Sequence, residues 1–250
     1  MQRFFRIDYK GQPRYAVERD GEWRLIDGDI FGDLRAGEAV ASTGHQLLAP
    51  VLPSKIVCVG LNYKDHAAEQ NKPLPAEPLL FVKPSTAVIG PGEAIVLPEG
   101  VGRVDHEAEA AVVIGRRATR VREADAMDYV LGITCVNDVT ARALQKAIGH
   151  YTRPKGFDTF APVGPCIACG LDWSNLWVRG WVNGQLRQDS TTSDLIFPVP
   201  ELVAFISGIM TLLPGDIIST GTPAGIGPLV AGDTVRVAVE GVGDLENTVL

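Results

Sequence analysis

Three acidic residues carry the densest chemical signal in the chain. Asp105-His106-Glu107-Ala108-Glu109 leads straight into the apolar run AAVVIG, residues 110–115. In a strand, side chains alternate faces, so Glu107 and Glu109 point the same way. Like charges side by side on one strand face are destabilising unless something neutralises them. Carried unpaired toward a core, they cost several kcal/mol, roughly. A divalent cation resolves the conflict. Asp138 closes a second apolar run, ITCVND. Carboxylates without cysteine or paired histidines are hard oxygen ligands, which favour Mg²⁺ or Mn²⁺ over Zn²⁺. Mg²⁺ takes about six oxygens, so three protein ligands leave room for water and a chelating substrate. The competing reading is a solvated strand edge, with both glutamates exposed and Asp138 serving as a cap. His106 falls on the opposite face and reads as structural.

Two further groups can move protons or offset charge. In Asp65-His66-Ala67-Ala68-Glu69, His66 and Glu69 are three apart and meet on a helical turn. Glutamate would hold the imidazole and raise its basicity, giving a general base near neutral pH. The alternative is an exposed helix with a charge pair. Arg153-Pro154-Lys155-Gly156-Phe157-Asp158-Thr159-Phe160 is a glycine-containing loop with two cations, where Lys155 can neutralise an enolate or carboxylate or be ordinary surface charge. GTPAGIG, residues 221–227, lacks the lysine of a P-loop and the spacing of a dinucleotide fold. It reads as a turn whose amides approach a ligand, or simply as a tight turn. Cys166 and Cys169 form a CxxC, but no second ligand pair follows and proline and glycine bracket it. Core packing is therefore expected for these two, as for Cys58 and Cys135.

The elements that must position these residues are mostly strands. Tyr15, Val17, Trp23 and Leu25 surround Asp20-Gly21, a hairpin signature. Residues 1–53 form a small N-terminal β module on this reading, with 36–53 a loose connection. Residues 54–250 are expected to form a second, larger domain that holds the candidate residues. KIVCVGL is a buried strand, WVRGWVNGQLRQ a hairpin turning at Asn183-Gly184, and DIISTG and DTVRVAVEGVGDLENTVL late strands. VREADAMDYVLG has helix-like spacing, and VPELVAFISGIM is an amphipathic helix opened by Pro200 and Glu201. Strands outnumber helices and do not alternate with them, which argues against a doubly wound sheet or a TIM barrel. A mainly β (α+β) fold is expected: a strand-rich roll or barrel-like core with a few peripheral helices.

The 250 residues carry a formal charge of −7, with 46% hydrophobic and 21% charged. That balance suits an ordinary folded chain and makes nucleic acid a poor partner. The N-terminus lacks an apolar signal core and no run approaches a membrane span, so a cytoplasmic protein with no membrane partner is expected.

Together the motifs resemble the fumarylacetoacetate hydrolase family. The resemblance rests on Gly60-Leu61-Asn62-Tyr63-Lys64-Asp65-His66, Phe81-Val82-Lys83-Pro84, His106-Glu107-Ala108-Glu109 and Asn137-Asp138-Val139-Thr140-Ala141-Arg142. Lys155 to Phe160, Val182-Asn183-Gly184 and Gly221-Thr222-Pro223-Ala224-Gly225 follow in family order. It implies a mostly β homodimer with Mg²⁺ or Mn²⁺ held by Glu107, Glu109 and Asp138. His66 and Glu69 match a water-activating dyad on a lid, and Lys155 matches a cation facing a small 2-oxo acid substrate. Arg142, Gln188 and Thr222 match substrate-side positions. Leu61 stands where acylpyruvate-cleaving relatives often carry arginine; the Gly-Leu-Asn-Tyr form also occurs among isomerases and decarboxylases of aromatic catabolism. The expected reaction is hydrolysis of a C–C bond in a 2,4-dioxo acid through an enolate. Isomerisation of a hydroxy-diene-dioate and decarboxylation of an oxaloacetate-like acid are the close alternatives, and a non-catalytic ligand-binding protein the distant one.

Overall fold

Short β-branched runs punctuated by glycine, asparagine and proline favour strands over helices. The computed structural model describes residues 1–250 and contains nineteen strands. The first five are β1 (Gln2–Tyr9), β2 (Gln12–Arg19), β3 (Glu22–Gly28), β4 (Leu34–Val40) and β5 (Leu47–Leu48). Then come β6 (Ile56–Gly60), β7 (Leu79–Lys83), β8 (Val88–Ile89), β9 (Val104–His106), β10 (Ala108–Ile114) and β11 (Val130–Asn137). They are followed by β12 (Thr140–Ala141), β13 (Ala161–Cys169), β14 (Trp177–Val182) and β15 (Gln185–Thr191). The last four are β16 (Ile217–Ser219), β17 (Gly227–Leu229), β18 (Thr234–Val239) and β19 (Gly243–Thr248). The α-helices are α1 (Lys64–Glu69), α2 (Arg142–Ile148), α3 (Thr152–Lys155) and α4 (Val199–Ile209). No helix is long and apolar enough to cross a membrane. The expected strand-rich fold with few helices is what the chain adopts.

One twelve-stranded sheet runs β4-β3-β2-β1-β13-β11-β10-β16-β6-β7, with β5 and β8 attached to β1 and β13. A four-stranded sheet, β15-β14-β18-β19, covers part of it, and β12-β9-β17 form a third. The strand β10 shows why its sequence is a near-continuous apolar run. Ala108 and Ala110 pack toward the four-stranded sheet, Val112 and Ile114 meet α4, and Ala111 and Val113 fill the opposite face. Both hairpins form where Asp20-Gly21 and Asn183-Gly184 supply two successive positive φ angles.

Three expectations need correction. Residues 36–53 are not a loose connection throughout: Leu34–Val40 pairs with β3 and Leu47–Leu48 with β1. The pattern there is weak because β4 is an edge strand with little burial. The segment read as a helix around Ala124 and Met127 is a 3₁₀ helix, Glu123–Tyr129, a tighter coil that fits the short run before β11. Finally, Glu107 is not within a strand but at the break where the chain leaves β9 and enters β10. The N-terminal strands continue the same sheet, because β1 pairs with β13.

Candidate active site

The carboxylates converge because of strand pairing. In the β10–β11 ladder Ala108 stands opposite Asn137, which brings Glu109 and Asp138 to one end of the pair. The Asn137 side chain accepts from the Glu107 amide at 3.0 Å, and the Asp138 amide donates to the Glu107 carbonyl at 2.9 Å. One oxygen from each of Glu107, Glu109 and Asp138 lies within 4.8 Å of the others, and all three residues are buried.

Cations surround two of the three. Lys155 Nζ donates to Glu107 at 2.7 Å and also to Asp138. Lys83, fully buried, donates to Asp138 Oδ1 at 2.5 Å and to the Val139 carbonyl at 3.0 Å. Arg142 bridges Glu107 and Asp105, the latter at 3.0 Å. Glu109 has no cation of its own; one oxygen accepts from Ser219 Oγ at 2.5 Å and from the Gly221 amide at 3.0 Å. The electrostatics follow. Burial alone would raise the Glu107 carboxyl, but Lys155 and Arg142 outweigh it and hold it well below the carboxylate range. Burial, then the charges of Asp138 and Glu107, pushes Glu109 up to about 8. Burial would also strip Lys155 of its proton, but Asp138, Glu107 and Glu109 keep it firmly protonated. The donors fit a hard divalent cation: three carboxylates, no sulfur, no imidazole, and in Glu109 one with no cationic side chain paired to it.

The dyad is assembled as its spacing implies. His66 Nδ1 and Glu69 Oε2 are 2.8 Å apart on α1. The other nitrogen, Nε2, lies 2.5 Å from the side-chain nitrogen of Gln70. The short helix α1 is pinned at several points. Asn62, just before it, bonds both Phe197 and Thr220 through its side chain. The Asp65 amide donates to Asp194, and Asp65 accepts from the Ala224 amide at 3.3 Å. The glycine-rich turn 221–227 contributes most directly: Gly221 N–H donates to Glu109 and Gly225 N–H to Glu69 Oε1, each at 3.0 Å. Its amides thus support carboxylates from both groups. A Cβ at Gly225 would sit 2.0 Å from the Arg187 carbonyl oxygen, and φ there is +97°, so only glycine fits.

These groups face one cleft, with about 450 Å³ of empty space out to its mouth. Its walls include the three carboxylates, Lys155, His66, Arg142 and Thr222. Glu69 stands behind His66 and faces an adjoining outer cleft. Gln188 is not on the wall. Its amide is spent on the Ala108 amide, His106 Nδ1, Thr222 Oγ1 and the Pro223 carbonyl, because Gln188 points into the packing between β15 and β10. It is therefore corrected from a substrate-side residue to one that fixes Thr222 and His106. His106 stays outside the carboxylate group. Lys83, Gln70 and Gln145 are site residues that the sequence reading assigned no role. Lys83 left a signal: it shares the inward face of β7 with Phe81, an unusual place for a lysine. All four cysteines are free thiols. Burial raises Cys166 to about 12 and Cys169 to about 11, which leaves neither thiol reactive.

Comparison with known proteins places the chain. Residues 55–250 match the family described as fumarylacetoacetate (FAA) hydrolase, C-terminal, and residues 2–50 match one described as Rv2993c-like, N-terminal. An uncharacterized protein of Archaeoglobus fulgidus is 54% identical over 93% of this chain and 90% of its own length. The mitochondrial oxaloacetate tautomerase FAHD2B of Bos taurus is 43% identical over 98% of this chain and 90% of its own. Among solved structures, the 2-hydroxyhepta-2,4-diene-1,7-dioate isomerase of Mycobacterium marinum superposes with a TM-score of 0.92 at 43% identity, covering 100% of this chain and 98% of that one. With residues 55–250 matched to its model and relatives at 43% identity spanning nearly the whole chain, the chain belongs to the fumarylacetoacetate hydrolase family.

Proposed function

We propose that this protein catalyses a Mg²⁺- or Mn²⁺-assisted proton shift on a small 2-oxo acid, the keto–enol tautomerisation of an oxaloacetate-like acid or the isomerisation of a hydroxy-diene-dioate. One observation carries the reading: His66 is the only imidazole on the cleft wall, held by Glu69 through Nδ1, and it faces a wall of carboxylates and a lysine. Held by Glu107, Glu109 and Asp138, the ion would act as a Lewis acid on the 2-oxo group and its carboxylate. The protein's own residues do the rest. His66 Nε2 takes the proton from the carbon beside the ketone, the C–H pair becomes the C=C bond, and the carbonyl π pair moves onto oxygen. The imidazolium then returns its proton to that oxygen or to a carbon further along a conjugated chain. Glu69 holds Nδ1–H and steadies the imidazolium. Lys155 offsets the enolate charge, and Arg142 meets a carboxylate. The tautomerase and isomerase activities of relatives at 43% identity support the reading.

Hydrolysis of a C–C bond in a 2,4-dioxo acid is the second reading. The His66–Glu69 contact favours it, since the same pair can activate water. A substrate panel with Mg²⁺ separates them, scoring enol-to-ketone conversion of oxaloacetate, pyruvate release from an acylpyruvate, and CO₂ release. Tautomerisation is expected to dominate, to vanish with chelator, and to fall about 10²–10⁴-fold in His66→Ala. Tautomerisation that survives both perturbations refutes the proposal.

A further inference from the structure

Both ring nitrogens of His66 are occupied. Nδ1 faces the Glu69 carboxylate, an acceptor only, so Nδ1 carries the proton. That leaves Nε2 as the lone pair able to act as a base. The Gln70 side-chain amide, a donor, sits on it at 2.5 Å. Gln70 follows Glu69 directly and caps α1, its backbone N–H donating to the His66 carbonyl at 3.1 Å. Its side chain borders both the inner cleft and the outer one, which also contains Lys72, Arg142 and Gln145. Any molecule that uses the His66 lone pair must first displace this amide.

We propose that Gln70 is a positioning residue that covers His66 Nε2 against water, and so favours proton shifts within bound substrate over hydrolysis. The inference rests on the proposed function and names the residue that sets its reaction choice. The physical difference lies in what each competitor brings. A substrate anchored by its own carboxylate presents its C–H at a fixed place and high effective concentration, so it displaces the amide readily. A single water has no such anchoring and competes with an amide tethered four residues from the imidazole. Removing the amide frees the lone pair for water while changing little for an anchored substrate. The hydrolysis-to-tautomerisation ratio then rises about two- to tenfold, the range spanned by one net hydrogen bond.

The test uses the full chain loaded with Mg²⁺, as wild type, Gln70→Ala and Gln70→Met; methionine keeps the length without the donor. Oxaloacetate enol-to-ketone conversion and pyruvate release from acetylpyruvate are measured at saturating substrate. A higher ratio in both variants is the expected result. An unchanged ratio, or parallel loss of both rates, overturns the inference and leaves Gln70 as a helix cap. A second readout does not depend on catalysis. Histidine-¹⁵N spectra, with His66→Ala used for assignment, report whether Nε2 accepts a hydrogen bond. Its resonance should move toward that of a free lone pair in both Gln70 variants. A resonance that stays put overturns the inference even if rates change. If wild type tautomerises nothing, the functional reading fails on its own, and the spectra still decide whether Gln70 covers Nε2.

Discussion

Glu109 makes metal capture a proton exchange, and this can be measured. Its carboxyl, raised to about 8, is mostly protonated at neutral pH, whereas a metal ligand must be ionised. Binding below pH 8 therefore expels about one proton per ion, and affinity falls about tenfold for each unit below 8, roughly 100-fold between pH 8 and pH 6. Titration calorimetry with Mn²⁺ in buffers of different ionisation enthalpy gives both the affinity and the protons released. Glu109→Gln, which cannot release a proton, should bind weakly at every pH in this range. The sign for stability runs the other way. A group whose folded value is raised stabilises the metal-free protein below its unfolded value, near 4.5, and loses that contribution as pH rises through about 8. The full span of that contribution is on the order of 5 kcal/mol. Added Mn²⁺ should restore stability at the alkaline end. Glu107 acts oppositely: its lowered value stabilises above about 4.5 and the effect is lost as acid protonates it. A Mn²⁺ affinity that stays flat from pH 6 to 8, with no proton release, refutes the argument.

Lys83→Met should destabilise the fold by about 3 kcal/mol, at the low end for a broken buried pair because Lys155 still reaches Asp138, and urea unfolding checks it. Lys155→Met should lower kcat about 10²-fold without weakening Mn²⁺ binding, since the lysine competes with the ion for Glu107 and Asp138; weaker binding in calorimetry would count against it. Asp138→Asn should weaken Mn²⁺ binding and activity together, which titration and rates on one sample will show. A homodimer is expected at micromolar concentration, and light scattering giving the monomer mass of 26.8 kDa would contradict it.

The three carboxylates and the His66–Glu69 pair were legible in the sequence as groups, for different reasons. His66 and Glu69 stand three apart on one helical turn, whereas Glu107 sits at the break between β9 and β10 and meets Glu109 and Asp138 where β10 pairs with β11. What joins the two groups was not legible. The Lys83–Asp138 pair spans 55 positions and the Gly225–Glu69 bond 156, separations on which periodicity is silent. Gln188 illustrates the opposite error. The family resemblance put it on the substrate side, yet it is the hub of a buried network that only the β14–β15 register determines. Gln70 was passed over because its backbone role as a helix end hides its side-chain contact with His66.

The central seam between β1 and β13 has a consequence for how the chain is made. Gln2 pairs with Cys169 and Phe4 with Ile167, so β1 leaves the ribosome long before the strand that covers its Gln2–Phe4 edge. At roughly 5–20 residues per second, that wait is on the order of ten to thirty seconds. Meanwhile β1 to β3 can pair locally as hairpins and β5 can cover Arg6 and Ile7, but the Gln2–Phe4 edge of β1 stays unpaired. An open apolar edge is a template for pairing with other chains. The yield of folded protein therefore depends on how fast translation delivers β13, and on what shields β1 until then, as much as on the stability of the finished sheet.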